Sequence, residues 1–110
     1  MRWLLKYSGT MIEYWTRYGQ FKAINYVHVP TEECHRLDGP AVVFADGSEM
    51  WFKDGLIHRV DGPAMIDIDG AIMYYLYGKY LGSEVIFWLD ENDIDLRTEE
   101  GQMAFVLQWA

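Results

Sequence analysis

A chain of 110 residues with 51% hydrophobic and 16% aromatic side chains is too apolar for disorder and long enough for one modest core, but not for a deep, walled active site as well. Its net charge of −8 disfavours direct nucleic-acid binding, which needs clustered Lys and Arg, and no apolar run approaches a membrane span. One cysteine, Cys34, excludes an intramolecular disulfide. Residues 1–6 offer only a two-leucine patch where a signal peptide needs a longer one, so the expected setting is cytoplasmic.

The charge is unevenly spread. Residues 1–33 hold four basic and three acidic side chains, residues 34–82 four and seven, and residues 83–110 one and seven. An acidic C-terminal end suits solubility, or a basic patch on a protein partner.

From the N-terminus, residues 3–7, 10–17 and 20–29 read as three short strands separated by Ser8-Gly9 and Tyr18-Gly19, since β-branched and aromatic residues dominate each run. Tyr14-Trp15-Thr16-Arg17-Tyr18-Gly19 is a worn copy of Met50-Trp51-Phe52-Lys53-Asp54-Gly55 and serves as a degenerate leading repeat. Val29-Pro30-Thr31-Glu32-Glu33 connects it to the central part of the chain.

That centre contains one phrase written twice. His35-Arg36-Leu37-Asp38-Gly39-Pro40-Ala41 returns 23 residues later as His58-Arg59-Val60-Asp61-Gly62-Pro63-Ala64. At the same offset Asp46-Gly47 becomes Asp69-Gly70, Met50-Trp51-Phe52 becomes Met73-Tyr74-Tyr75, and Gly55 becomes Gly78. A fixed period with two glycine turns per unit predicts hairpin repeats, each burying apolar surface against the next. The Asp-Gly-Pro corners are expected to use a positive φ at glycine, and Asp46-Gly47 and Asp69-Gly70 to form type I′ turns. The hairpins then pair residues 41–45 with 48–53, and 64–68 with 71–77.

In the tail, Ser83 is the expected N-cap of a helix over residues 84–90, residues 90–95 form a polar linker, and Thr98 starts a second helix with Glu99 and Glu100 in its first turn. Met103, Val106, Leu107 and Ala110 mark its apolar stripe, with Phe105 and Trp109 beside it. The helices are expected on one sheet face, leaving the aromatic-rich other face open. The fold class is therefore mainly β with C-terminal helices (α+β): an antiparallel hairpin-repeat meander of about seven strands capped by two helices. Residues 1–110 form one domain, made of residues 1–33, the two tandem repeats of 34–82, and the helical tail of 83–110.

The phrase His-Arg-x-Asp-Gly-Pro-Ala, with Asp-Gly, an aromatic pair and Gly after it at this period, resembles the variant branch of the MORN repeat. The run from Trp51 through Gly78 carries it best, and about 50 of the 110 residues are covered. The ordinary unit has Gly where this chain has Arg36 and Arg59. Small proteins with this phrase and a helical tail resemble accessory proteins of large tailed bacteriophages. That resemblance implies a non-enzymatic module that binds, or binds and inhibits, a host or phage protein in the host cytoplasm.

Among residues that bear chemistry, Cys34-His35 and His58 lack the spacing of a metal site, and a recurring histidine more simply bonds the neighbouring turn. Asp67-Ile68-Asp69-Gly70 is superficially like a calcium loop, but Leu76 stands where its glutamate belongs. Neither a catalytic residue, a metal nor a cofactor is expected. The aromatic surplus marks a protein-binding surface, with Trp51, Tyr74 and Tyr77 as anchors beside acidic Asp90, Glu91, Asp93 and Asp95. A second expectation is an anion site, built on His35, Arg36, His58 and Arg59, that sequesters a small nucleotide. A third is a structural module that forms a homo-oligomer through a sheet edge or the aromatic face.

Overall fold

The computed structural model describes residues 11–110; the strand expected over residues 3–7 and its Ser8-Gly9 turn lie outside the described residues. The described chain has ten short strands and two helices. They are β1 (Ile12–Thr16), β2 (Gly19–Ala23), β3 (Val42–Val43), β4 (Glu49–Met50), β5 (Phe52–Lys53), β6 (Leu56–Ile57), β7 (Met65–Ile66), β8 (Ile72–Met73), β9 (Tyr75–Leu76), β10 (Lys79–Tyr80), α1 (Glu84–Glu91) and α2 (Glu99–Trp109). Every pairing is antiparallel. Six strands form the main sheet in the order β2-β1-β3-β4-β7-β8, while β5-β6 and β9-β10 are separate two-stranded ribbons. The α+β hairpin architecture is the one the repeats predict.

The strand count exceeds seven because an aromatic residue splits each returning strand. Trp51 donates its N–H to Ala64 in the main sheet, at 2.7 Å, and its carbonyl accepts from His58 in the next ribbon, at 3.0 Å. Trp15 does the same with Ala41 and His35, at 2.8 and 3.0 Å. Tyr74 stands at the third such corner, accepting from Leu81 N–H at 3.0 Å. Residues 48–53 and 71–77 therefore turn from one ladder into another instead of running through as single strands. The third leading strand is also shorter than expected: β2 ends at Ala23, and residues 26–28 and 31–33 wind into single 3₁₀ turns before Cys34.

The turns differ from expectation in type. At Asp46-Gly47 only the glycine has positive φ, at 96°, and Phe44 carbonyl accepts from Gly47 N–H while Phe44 N–H bonds Ser48 carbonyl. This is a three-residue loop, a type I turn followed by a left-handed glycine, and Asp69-Gly70 repeats it. The type I′ turns lie at the other glycines. Asp54 and Gly55 have φ of 50° and 81°, and Tyr77 and Gly78 have 50° and 82°.

At the Asp-Gly-Pro corners glycine has no positive φ; it is needed for closeness. A Cβ on Gly39 would lie 2.8 Å from Arg36 Cζ, and one on Gly62 would lie 3.0 Å from Arg59 Cζ. Each guanidinium rests on the corner backbone, donating from Nη1 to the proline carbonyl, Pro40 or Pro63, at 3.1 Å. Its other side faces an indole: Arg36 stands 4.2 Å from the Trp15 centroid, and Arg59 3.7 Å from that of Trp51. Arginine stacking of this kind contributes about 0.5–2 kcal/mol as burial increases.

Two apolar clusters result. The first joins Ile12, Val42, Met50 and Phe52 with Cys34, whose thiol is pushed up to about 11 by burial and by Glu32 and Glu33. The second joins Leu76 and Leu81 to Val85 of α1 and Phe105 of α2. The helices thus close the end of the array, over β9 and β10, instead of covering a face of the main sheet. Thr98 caps α2 by accepting from Gly101 N–H at 3.0 Å, whereas Ser83 is helical and makes no side-chain cap. The buried face of α2 is Gly101 and Phe105, with Trp109 half-buried beside them. Met103 and Leu107, placed on the apolar stripe by sequence, are 64% and 79% exposed. Phe105 prevails because its ring meets Tyr74 edge-on at 6.1 Å.

Arg59→Lys is expected to destabilise the fold by about 2 kcal/mol in urea unfolding, because a lysine retains the charge but loses the stacked plane and the paired bonds to Pro63 carbonyl and Asp61. Unchanged stability would show that the sandwich does not hold the units together. Gly55→Ala should cost about 3 kcal/mol or more, since its Cβ would collide with the Glu32 carbonyl group from a φ of +81°; a melting temperature within a degree or so of wild type would refute that packing.

Candidate functional site

The joint between the two repeats shapes a cleft. A cavity of about 330 Å³ is lined by Arg36, Trp51, Lys53, His58, Arg59 and Tyr77, with Leu37, Val60, Asp61 and Gln102 at its margins. Three cations therefore face one carboxylate on a protein of net charge −8. Asp61 is already bonded to Arg59 Nε at 2.8 Å, and Arg36 Nε reaches Asp38 at 3.3 Å. Among the described residues, Nη2 of both arginines has no hydrogen-bond partner.

His58 is 8% exposed, and its Nδ1 accepts from Tyr77 N–H at 2.9 Å. A backbone donor at Nδ1 requires the neutral ring with its proton on Nε2. The histidine thus accepts from the next turn and does not donate to it. Burial, and then the charge of Lys53, hold the imidazole below its ordinary 6.5. Tyr77 lies over it, with ring centroids 4.1 Å apart, and Lys53 Nζ stands 6.0 Å from the tyrosine centroid. Tyr77 is 51% exposed and has a φ of 50°. A bulky aromatic in the left-handed region is uncommon and is held here by the turn with Gly78.

Most of the residues expected from sequence divide between two sites, and His35 and Glu91 belong to neither. Trp51 and Tyr77, expected in a protein-binding surface, lie with Arg36, His58 and Arg59 of the expected anion site. His35 lies elsewhere: it accepts from Asp54 N–H at 3.0 Å and stands 3.3 Å from the Asp54 carboxylate. Tyr74 lines a broad open groove of about 620 Å³ with Asp90, Asp93 and Asp95, on the far side of Asp61; Glu91 lies outside it. Asp95 is held below the usual carboxylate range by hydrogen bonds from Arg97, whose Nε and Nη2 lie at 2.9 and 3.0 Å. Trp51 and Tyr74 are half-buried and structurally engaged, so Tyr77 is the accessible aromatic of the three. Burial raises the Tyr74 hydroxyl above its ordinary range.

Sequence reasoning missed Lys53 and the α2 shelf. Lys53 shares its position in the unit with Arg17 of the worn copy, which was the signal available. Met103 and Leu107, with Val60 and Val106, line a shallow apolar shelf that meets the cleft at Val60 and Gln102. Asp67-Ile68-Asp69-Gly70 is a hairpin tip, where Asp67 accepts from Ser48 Oγ at 3.0 Å and Ile68 N–H at 2.8 Å. Among the described residues, no three His, Cys, Asp or Glu side chains are grouped to hold a metal ion, and no helix is long and apolar enough to cross a membrane.

No protein-family model matches the chain, and no curated protein or solved structure does so.

Because folding holds His58 neutral, the unfolded chain takes up the proton first as pH falls. The His58 contribution is complete above about 6.5, the ordinary value, and is lost as pH drops from there through the lower folded value. His58→Gln, whose amide oxygen can still accept from Tyr77 N–H, should show a flatter loss of melting temperature across that range. Equal pH slopes in the two proteins would remove His58 as the titrating group.

Proposed function

We propose that the protein is a small non-enzymatic binding module that engages a protein partner, in the manner of phage accessory proteins that act on a host protein. The shelf on α2 carries this reading: Met103 and Leu107 are exposed on it, beside half-buried Val60 and Val106. Met103 and Leu107 are one helical turn apart, and the second apolar cluster is completed by Phe105 without them. Neighbouring exposed apolar side chains that the core does not use are what protein interfaces employ at their centre. The adjoining cleft is basic, so the occupant best suited to the surface is an apolar protein segment with acidic residues at one end. The resemblance of the repeat to variant MORN units supports the same reading, as does an acidic surface that discourages nucleic acid.

The test compares wild type with Met103→Glu/Leu107→Glu in affinity capture from bacterial lysate and in sizing by native mass spectrometry. A protein retained by wild type in fixed stoichiometry, acidic at its crosslinked segment and lost from the variant at unchanged melting temperature, is the expected result. Equal retention by both would overturn the shelf as the interface. A wild-type homodimer that the variant dissolves would replace the heterologous partner with a second copy of the chain.

A further inference from the structure

The two repeats place the same backbone around different side chains, and the difference leaves a cation without its anion. In the first unit the turn residue in the left-handed conformation is Asp54, whose carboxylate pairs with Arg17 and sits beside His35. In the second unit the same turn carries Tyr77, with the same φ of 50° and the same bond from its N–H to the preceding histidine. Arg17 corresponds to Lys53 through the worn copy of the motif. The ion pair of the first unit thus becomes Lys53 beside Tyr77, a cation facing a ring. Among the described residues Lys53 Nζ has no carboxylate within 4 Å, and the lining of the cleft adds Arg36 and Arg59 to it.

The hydrogen-bonding character of the lining points the same way. Nη2 of Arg36 and of Arg59, Lys53 Nζ and His58 Nε2 are all donors without a partner among the described residues. The single carboxylate, Asp61, already serves Arg59. A cavity lined by nitrogen donors is satisfied by an anion with several oxygen acceptors. Tyr77 adds an exposed ring at the same wall, a platform on which a planar ring can stack. A volume of about 330 Å³ falls at the small end of ligand cavities and suits one phosphoryl group with one ring, not a polymer.

We propose that this cleft binds a small phosphorylated molecule of mononucleotide type, the phosphoryl oxygens on Lys53, Arg36 and Arg59 and the base against Tyr77. The site stands on the repeat geometry and does not depend on the shelf.

Inorganic phosphate and AMP are the probes, titrated into the full chain by calorimetry and melting temperature, with an oligoglutamate peptide as the competing acidic segment. Tyr77→Asp restores the carboxylate that the first unit carries and introduces a residue that the equivalent turn already holds at this φ. It is expected to weaken both probes about tenfold or more without lowering the melting temperature. Tyr77→Asn, neutral and equally at ease in this conformation, should keep phosphate binding and lose the added affinity of AMP over phosphate. Lys53→Gln should weaken both probes about tenfold. Absence of binding by either probe at millimolar concentration would overturn the proposal. So would wild-type affinity in Tyr77→Asp, or oligoglutamate binding in the cleft where phosphate and AMP do not.

Discussion

A guanidinium held between an indole and a glycine is the joint on which this molecule depends. Arg59 stacks on Trp51, bonds Pro63 carbonyl and lies so close to Gly62 that a Cβ there would press on its guanidinium. The plane of the arginine therefore fixes three things at once: the corner of the chain, the direction in which the next strand leaves, and the orientation of the tryptophan that divides two ladders. Arg36 and Trp15 repeat the arrangement one unit earlier. Because the joint is polar on one edge and aromatic on one face, it can be half-buried and still present charge to solvent. The basic cleft is the exposed side of the same structural element.

The units are linked to their neighbours by the histidines. Each imidazole accepts a backbone N–H from the next type I′ turn, 19 residues ahead. That bond satisfies a donor that the tight turn leaves over, and at His58 it goes with a neutral ring. The array ends where this pattern stops. At the third position Leu81 and Gly82 stand in place of His58 and Arg59, and the face of Tyr74 that an arginine would cover is met by Phe105. The helical tail is thus a substitute for the missing next unit, which is why it packs against the end of the array.

The 23-residue echo is enough to read the hairpins and their antiparallel order, because hairpin pairing follows from local turns. The turn types are not legible. Asp-Gly occurs at three-residue loops in Asp46-Gly47 and at a true I′ turn in Asp54-Gly55, and only the strand ends on either side decide between them. The role of Gly39 and Gly62 escapes a sequence reading for a related reason: a glycine kept for closeness looks the same in sequence as one kept for its φ. The cleft is half legible. Arg36, His58 and Arg59 are marked by repetition, whereas their meeting with Trp51 and Tyr77 arises from corners that carry the chain between ladders. In α2 the sequence offers apolar residues on both sides, so only contact with Tyr74 selects Phe105 as the inward one.

The worn leading unit shows how such an array accepts length. Arg59 lies eight residues after Trp51, but Arg36 lies 21 after Trp15, and both reach the same stacked geometry. Thr16 and Cys34 keep the bridge that Phe52 and Ile57 make in the shorter unit, so the extra chain is extruded as β2 and the 3₁₀ turns without disturbing the joint. A ribbon in this fold is an insertion port. New segments can be added or lost there during evolution while the spacing of neighbouring units is preserved, and surface can be varied at one position along the array independently of the rest.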